Sequence, residues 1–501
     1  MIADQDMLKL QNGSDVRGVA LEGIAGEPVT LFPEAVNRIT SGFVAFITHK
    51  TGKKPTELKI AVGHDSRVTA DSLKKEVLQA LCAAGVKPFD CGLASTPAMF
   101  MSIVFEDTKM DASIMLTASH LPYNRNGMKF FTIDGGLEKA EITQVLQLAC
   151  QEPPKTADIS QVPALALIDL YAAHICRKIK EGIKAMDYEH PLKGMHVVVD
   201  AGNGGGGFFA TKVLEVLGAD TRGSLYLEPD GMFPNHIPNP ENQAAMDAIK
   251  GAVLKSKADL GLIFDTDVDR MSAVLPNGEQ VSRNALIAMM AAILAPDYPG
   301  STIITDSVTS DELTVFLTED LKLKHHRFKR GYKNVIDECI RLNKAGTVSP
   351  LAIETSGHGA LSENYYLDDG AYLAVKMLIA AAKAKQQGKE LGLLIAGLGQ
   401  PAESKEYRLK IQTPDFKAYG QQVIDTFTAR AKEQGIKIAS PSYEGVRLVF
   451  PEGWALLRMS LHDPVMPLNV EGRHQGEVAA ILKVILELLG GFEKLDLTVL
   501  K

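Results

Sequence analysis

The sequence predicts an α/β protein: three related mixed α/β domains plus a C-terminal α+β domain around a central cleft. Two observations carry the α/β reading. Three times an apolar, strand-like run ends in an aspartate beside glycine or serine and leads into a helical stretch: residues 60–65, 197–202 and 303–307. Each unit then has a second apolar run that ends in a polar loop. Those loops carry Ser119, the aspartates 265 to 269, and Glu354-Thr355-Ser356-Gly357-His358. Apolar strands alternating with helices predict buried, mostly parallel sheets, and ligands bind beyond the carboxyl ends of such strands. Three loops placed there would build one shared cleft. A third observation sets the C-terminal part aside. Residues 407–411 alternate like a strand, 416–434 read as a helix, and short strands precede a final helix over 477–489.

The expected domains are 1–155, with the serine loop; 156–281, with the aspartate loop; 282–395, with the glutamate loop; and the α+β domain 396–501. Between them lie readable connections. Residues 151–163 are polar and proline-bearing, Pro276-Asn277-Gly278 reads as a turn, and Gly388-Lys389 with residues 397–401 closes the third.

Length agrees, because 501 residues exceed what one core supports. With 46% hydrophobic and 23% charged residues, the composition excludes wholesale disorder. A net charge of −8 argues against a nucleic-acid or anionic-membrane binder and leaves a small anionic substrate open. No basic segment followed by an apolar core opens the chain, and the apolar run 285–295 is too short to span a bilayer. Cys82, Cys91, Cys150, Cys176 and Cys339 are odd in number, widely spaced and without a Cys-x-x-Cys. Reduced thiols in a cytoplasmic protein are the expectation.

The chemistry sits in two loops. Thr117-Ala118-Ser119-His120-Leu121-Pro122 offers a hydroxyl after an apolar run, without the Gly-x-Ser-x-Gly elbow of a serine hydrolase. A serine needs activation, or a transferable group, to take part in chemistry. The following Asn124-Arg125-Asn126-Gly127 reads as a turn that returns Lys129 toward Ser119. In the second loop, Asp265, Asp267 and Asp269 repel one another unless a hard cation sits among them. An EF-hand would need glycine and glutamate where Arg270 and Pro276 stand. Together the loops point to metal-assisted phosphoryl chemistry through a phosphorylated serine. A bland surface turn remains the competing reading of each loop taken alone.

The four ordered motifs resemble those of the α-D-phosphohexomutase superfamily, in its phosphoglucomutase/phosphomannomutase group. Asp15-Val16-Arg17-Gly18 resembles the N-terminal arginine motif, and residues 117–122 the phosphoserine loop. Residues 265–270 resemble the Mg²⁺ loop, and residues 354–358 the sugar-recognition loop. The resemblance implies Ser119 as the phosphorylated residue, with Arg17, His120 and Lys129 beside it. It implies Mg²⁺ on Asp265, Asp267, Asp269 and the Ser119 phosphate. Substrate would be held by Arg270, Lys329, Gly331, Tyr332, Glu354, Ser356, His358, Arg458 and Ser460. It also implies a mobile fourth domain and a hexose 1,6-bisphosphate as activator and intermediate. One segment departs from the pattern: in residues 457–464, Leu461, His462 and Asp463 replace the usual small residue and threonine donor, and Pro467 falls where a second basic residue often sits. Arg327, Lys329 and Lys333 around Gly331 are either a phosphate contact or a solvated basic stretch.

The expectation is a cytoplasmic phosphohexomutase acting on glucose or mannose phosphates, a monomer or weak homodimer with no nucleic-acid or membrane partner. A phosphoglucosamine or N-acetylglucosamine phosphate mutase is the nearest alternative. A dehalogenase-like phosphatase with Asp265 as nucleophile and a non-catalytic sugar-phosphate sensor are the others.

Overall fold

A computed structural model describes residues 3–460 and 463–500. It contains two compact units, Met1–Ser282 with Ser356–Leu393, and Arg283–Thr355 with Leu394–Lys501. Among the described residues no helix is long and apolar enough to cross a membrane. All five cysteines are free.

The first unit holds two mixed sheets. Strands β1 (Gln11–Asn12), β2 (Asp15–Val19), β3 (Lys59–His64), β4 (Lys87–Leu93), β5 (Ala112–Leu116), β6 (Arg125–Thr132) and β7 (Gly135–Gly136) form a sheet of order β1-β2-β6-β5-β3-β4, with β7 on β6. Strands β8 (Val197–Asp200), β9 (Leu260–Phe264), β10 (Met271–Val274) and β11 (Gln280–Val281) form a second, ordered β11-β10-β9-β8. Pairings β3–β4, β3–β5 and β8–β9 are parallel, whereas β5–β6 and β9–β10 are antiparallel. In this unit the mostly parallel expectation therefore holds only toward the β4 end of the first sheet and the β8 end of the second. A parallel crossover takes about a dozen residues or more. The connections 117–124 and 265–270 are shorter, so the chain turns straight back. Both chemical loops are thus hairpin connections at the ends of buried strands.

The turn expected at residues 124–127 is displaced. Arg125, Asn126 and Gly127 already lie in β6, opposite Val19, Gly18 and Arg17. Gly127 is needed there because a Cβ would stand 2.3 Å from the Val16 carbonyl and 2.8 Å from that of Thr117. The Asn126 side chain donates to Thr69 Oγ1 at 2.9 Å rather than closing a turn. Lys129, two residues on, faces the buried interior at 4% exposure.

In the second unit, β12 (Thr302–Thr305) lies between β13 (Lys324–Arg327) and β14 (Leu351–Ile353), all parallel. Strand β15 (Gly359–Leu361) and the helix Gly370–Gln386 belong to the segment that returns to the first unit. The C-terminal part is an antiparallel sheet of β16 (Glu403–Lys410), β17 (Lys437–Ile438), β18 (Val446–Phe450), β19 (Gly453–Leu457) and β20 (Val465–Gly472), ordered β16-β20-β19-β18-β17. Helices Phe416–Glu433 and Glu477–Leu488 accompany it, and Val423, Phe427, Ile481 and Ile485 share a core with Leu468 and Val470. Pro467 sits in central β20 and cannot donate to the ladder. The β19–β20 register runs to Leu457↔Leu468, beyond which the Arg458 N–H still donates to the Pro467 carbonyl at 3.1 Å.

Candidate functional site

The serine loop is held from beneath by one buried ion pair. Asp65, at the end of the first repeated run, and Arg67 are 0% and 2% exposed and bonded at 3.2 Å. Arg67 donates to the carbonyls of Ser119, Leu121, Pro122 and Arg125 at 2.5, 2.6, 2.7 and 2.9 Å. One planar guanidinium thereby binds three carbonyls of the loop and that of Arg125, where β6 begins. Asp65 accepts from Thr117 Oγ1 at 2.7 Å, and Thr117 Oγ1 in turn accepts from the Ser119 N–H at 2.9 Å. Ser119 is fixed at φ +51°.

That conformation presents the hydroxyl to the aspartate loop. Ser119 Oγ donates to Asp265 Oδ2 at 3.2 Å and accepts from Arg270 Nη2 at 3.1 Å. Arg270, fully buried, also binds Asp265 through Nε at 3.0 Å, and its backbone N–H donates to Asp265 Oδ1 at 3.2 Å. Both Asp265 oxygens are engaged, which is poor geometry for the nucleophile of a dehalogenase-like phosphatase. Lys129 Nζ lies 2.7 Å from Asp269 and 3.7 Å from Asp267. Thr96, the first residue of helix Thr96–Val104, donates through Oγ1 to Asp267 Oδ2 at 2.6 Å, and its N–H donates to the Asp267 carbonyl at 2.9 Å. Val268 sits at φ +67°, a region that a β-branched residue occupies only under constraint. Gly204 lets the neighbouring backbone approach, since a Cβ there would lie 2.7 Å from the Thr266 carbonyl.

The three carboxylates fit a hard cation. Asp265, Asp267 and Asp269 are wholly buried, and one oxygen from each falls within 4.8 Å of the others. Asp267 Oδ1 and Asp269 Oδ1 have no hydrogen-bond partner. Buried carboxylate oxygens left unpaired are costly, and a divalent ion with oxygen ligands relieves that cost. The local electrostatics agree. Burial, then the charges of Asp269 and Asp267, push Asp265 upward against Arg270. Burial also works to raise Asp269, but Lys129, His358 and Arg270 outweigh it and hold Asp269 low.

Two histidines flank the cluster in opposite charge states. Burial, then Arg270, Arg17 and His358, pull His120 down to about 2. Its Nδ1 accepts from Arg270 at 2.6 Å and lies 3.3 Å from Ser119 Oγ, so His120 is a neutral acceptor. Burial opposes the charge on His358, yet Asp368 and Asp269 raise it to about 9. Asp368 accepts from His358 Nδ1 at 2.6 Å. Arg17 pairs with Asp15 at 2.8 Å, and a cavity of about 600 Å³ lined by Arg17, Leu121 and Arg125 adjoins the serine loop.

The remaining predicted residues gather in the second unit, apart from Ser356, which is buried in the first. Glu354 Oε1 accepts from the Gly331 N–H at 2.6 Å, and Gly331 precedes the helix that begins at Tyr332. Asp306, at the end of the third repeated run, accepts from Thr355 Oγ1 at 2.7 Å, as Asp65 does from Thr117. Lys329 is exposed, its ammonium 6.0 Å from the Phe328 ring. Arg327 is committed elsewhere, to Thr309 Oγ1, the Ser310 carbonyl, Asp311 and Thr314 Oγ1. Lys333 pairs with Asp337. Arg458 is 7% exposed, with its Nε unpartnered. Ser460 Oγ accepts from the Asp463 N–H at 3.2 Å. Leu461 and His462 lie outside the described residues.

Sequence reasoning passed over Arg67, Thr96, Asp306 and Asp368 as site residues. A signal existed for two of them. Asp306 ends the third repeated run, and Arg67 follows the aspartate that ends the first. Thr96 had none, because its partner Asp267 lies 171 residues away, and Asp368 had none, because an aspartate ten residues past His358 forms no pattern of its own.

Comparison with known proteins is consistent with this geometry. The phosphoglucomutase/phosphomannomutase α/β/α domain I model matches residues 9–153, domain II residues 172–278 and domain III residues 282–398. A phosphomannomutase/phosphoglucomutase of Pseudomonas syringae pv. tomato is 29% identical over 85% of this chain and 85% of its own. A phosphoglucomutase of Neisseria gonorrhoeae is 26% identical over 88% of this chain and 92% of its own. Among solved structures, a phosphoglucomutase/phosphomannomutase family protein from Burkholderia thailandensis superposes with a TM-score of 0.78, at 24% identity, covering 98% of both chains. With three domain models in chain order over most of its length, the chain belongs to the phosphoglucomutase/phosphomannomutase family of the α-D-phosphohexomutase superfamily.

Proposed function

We propose that this phosphomutase interconverts the 1- and 6-phosphates of glucose, mannose or both through a phosphorylated Ser119 and a hexose 1,6-bisphosphate. The observation that carries the reading is the Ser119 hydroxyl, bonded at once to Asp265 and Arg270 beside two unsatisfied carboxylate oxygens. Its family membership and relatives named as phosphomannomutase/phosphoglucomutase support the same chemistry.

In the working form Ser119 Oγ bears the phosphoryl group. A sugar hydroxyl oxygen bonds to phosphorus as the bond to Ser119 Oγ breaks, and the hydroxyl proton lost by the sugar is balanced by one gained at Ser119 Oγ, which ends as a hydroxyl. The bisphosphate so formed returns its other phosphate to Ser119, and the sugar leaves with its phosphate moved. Arg270, within reach of Ser119 Oγ, neutralises charge on the leaving oxygen. His120, a neutral acceptor, keeps Arg270 oriented toward it. Asp265, Asp267, Asp269 and a Ser119 phosphate oxygen would hold Mg²⁺, which supplies charge neutralisation for the moving phosphoryl group. Lys129 and a protonated His358 add positive charge, and Arg17 flanks the cavity beside the loop. Glu354 and Ser356 accept from and donate to ring hydroxyls. Lys329, Gly331, Tyr332, Arg458 and Ser460 receive the phosphate that is not in transit. Domains at 1–155, 156–281, 282–395 and 396–501 each carry one of these loops. Five free thiols suit a reducing, cytoplasmic setting.

The test is a panel of glucose, mannose and N-acetylglucosamine 1-phosphates with the matching bisphosphate present. Turnover of glucose or mannose phosphate is expected, with peptide mapping placing one phosphate on Ser119. Ser119→Ala should lose nearly all turnover. Full activity in that variant overturns the mechanism, and preference for the N-acetylated sugar overturns the substrate class.

A further inference from the structure

A carboxylate already occupies the donors of the second unit that suit an anion. Glu444, in the turn between β17 and β18, accepts through Oε2 from Ser307 Oγ at 2.5 Å and from the Arg330 N–H at 3.1 Å. Its Oε1 lies 3.9 Å from Arg458 Nη1, too long for a hydrogen bond. Arg458 is thus close to an anion yet unsatisfied, since its Nε is buried without a partner. Burial, the first cause, draws the Arg458 guanidinium down, and Glu444 opposes that pull. A hydroxyl, a backbone N–H and a guanidinium converging on one acidic group form a donor set for a phosphate monoester. A phosphate dianion and a carboxylate compete for these donors, since placing both there sets like charges in contact.

We propose that Glu444 is a tethered competitor for the substrate's phosphate: it holds Ser307 and Arg330 beside Arg458 until a phosphate displaces it, and so sets phosphosugar affinity. This rests on the mutase reading for the identity of the ligand, but not for the competition itself. The departing carboxylate has somewhere to go. A cavity of about 200 Å³ lined by Ser307, Tyr443, Glu444 and Arg447 adjoins it. Tyr443 is anchored there on Phe328, with ring centroids 4.8 Å apart, so the side chain of Glu444 can withdraw while its segment stays seated. The exchange also has a built-in reporter. The Ser307 carbonyl accepts from Arg447 Nη1 at 3.2 Å, and the Arg447 guanidinium lies 3.6 Å from the ring of Trp454, the single tryptophan of the chain. A change at Ser307 is therefore carried to the indole through one side chain.

A site blocked by its own carboxylate binds with an affinity reduced by the fraction of time it is open. Removing the charge raises that fraction. Glu444→Gln should tighten inorganic phosphate binding, read by calorimetry and by Trp454 fluorescence, by about five- to ten-fold, as expected for losing one charged competitor. The hexose phosphate KM should fall in the same ratio while kcat changes less. Adding Arg458→Ala to Glu444→Gln should erase the gain, which assigns it to this site rather than to the Ser119 cluster. Glu444→Ala serves as a second variant if the amide perturbs folding, and it should act in the same direction. Unchanged or weaker phosphate binding in both variants overturns the proposal. Tightened phosphate binding in a chain without mutase turnover would leave the competitor standing and remove the mutase reading instead.

Discussion

Thr96 Oγ1 donates to Asp267 Oδ2 at 2.6 Å, from the first turn of a helix 171 residues earlier in the chain. Ser95 caps that helix by accepting from the Ala98 N–H at 3.3 Å, and Pro97 lies in its first turn. Thr96 is therefore held rigidly, and with it one oxygen of a candidate metal ligand, leaving Oδ1 without a partner.

Outer partners of metal ligands are worth roughly ten- to a hundred-fold in affinity. Thr96→Val should weaken Mg²⁺ binding by about ten-fold, measured by calorimetry on the purified protein. Thr96→Ser keeps the hydroxyl and should restore most of it. Equal affinity in Thr96→Val and the wild type would detach Thr96 from the metal.

Arg67 invites a stability test. Replacing it with Met leaves Asp65 buried without its ion partner and removes a donor from four carbonyls, of which that of Pro122 keeps the Arg125 N–H. Breaking a buried pair from one side costs about 3–5 kcal/mol. Arg67→Met should lose about that much in denaturant unfolding. Arg67→Lys should recover only part, because an ammonium cannot span four carbonyls in a plane. A loss under about 1 kcal/mol would show that the loop satisfies its carbonyls without Arg67.

How far the sequence foretold all this can be judged residue by residue. Strand runs such as 260–264 were plain, because a continuous apolar stretch ending in aspartates has few other homes. The loops carrying Ser119 and Asp265 were legible for the same reason. What the pattern could not supply was direction. Whether a strand returns parallel or antiparallel depends on loop length, and Asn126-Gly127 looked like a turn although Gly127 is a strand residue shaped by two carbonyls. Partners were also hidden: Thr96 with Asp267 and Glu444 with Ser307, far apart in the chain, and His358 with Asp368 ten residues on. Each pairs ordinary polar residues, whose meaning comes only from the fold.

A pH dependence follows from His236. Both its ring nitrogens are engaged, Nε2 with Asp200 at 2.9 Å and Nδ1 with the Ile237 carbonyl at 3.0 Å, an arrangement only the imidazolium satisfies. Burial works against that charge, but Asp200 outweighs it and raises the group above its usual value. The stabilisation is therefore complete below about pH 6.5, the unfolded value, and fades as pH rises through the higher folded value. His236→Asn should cost more stability in acid than in alkali, read as the wild-type minus variant difference in unfolding free energy across pH. A flat difference would mean His236 is neutral at both ends.

Glu354 carries the most specific consequence for substrate choice. Its Oε1 accepts from the Gly331 N–H at 2.6 Å, which anchors a carboxylate whose lone pairs can also accept from a sugar hydroxyl. Glu354→Gln preserves shape but, with its amide oxygen kept on Gly331, presents an NH₂ donor where an acceptor stood. A site built to hydrogen-bond a hydroxyl discriminates sharply once its partner is wrong. Catalytic efficiency on glucose and mannose phosphates should drop by at least about ten-fold, carried by kcat as much as KM, because ring orientation and not phosphate affinity is disturbed. The unfolding midpoint should stay near wild type, since the Gly331 bond survives. Inorganic phosphate affinity should not move either, which separates this residue from Glu444. Wild-type efficiency on both sugars in the variant would shift hydroxyl recognition to another residue.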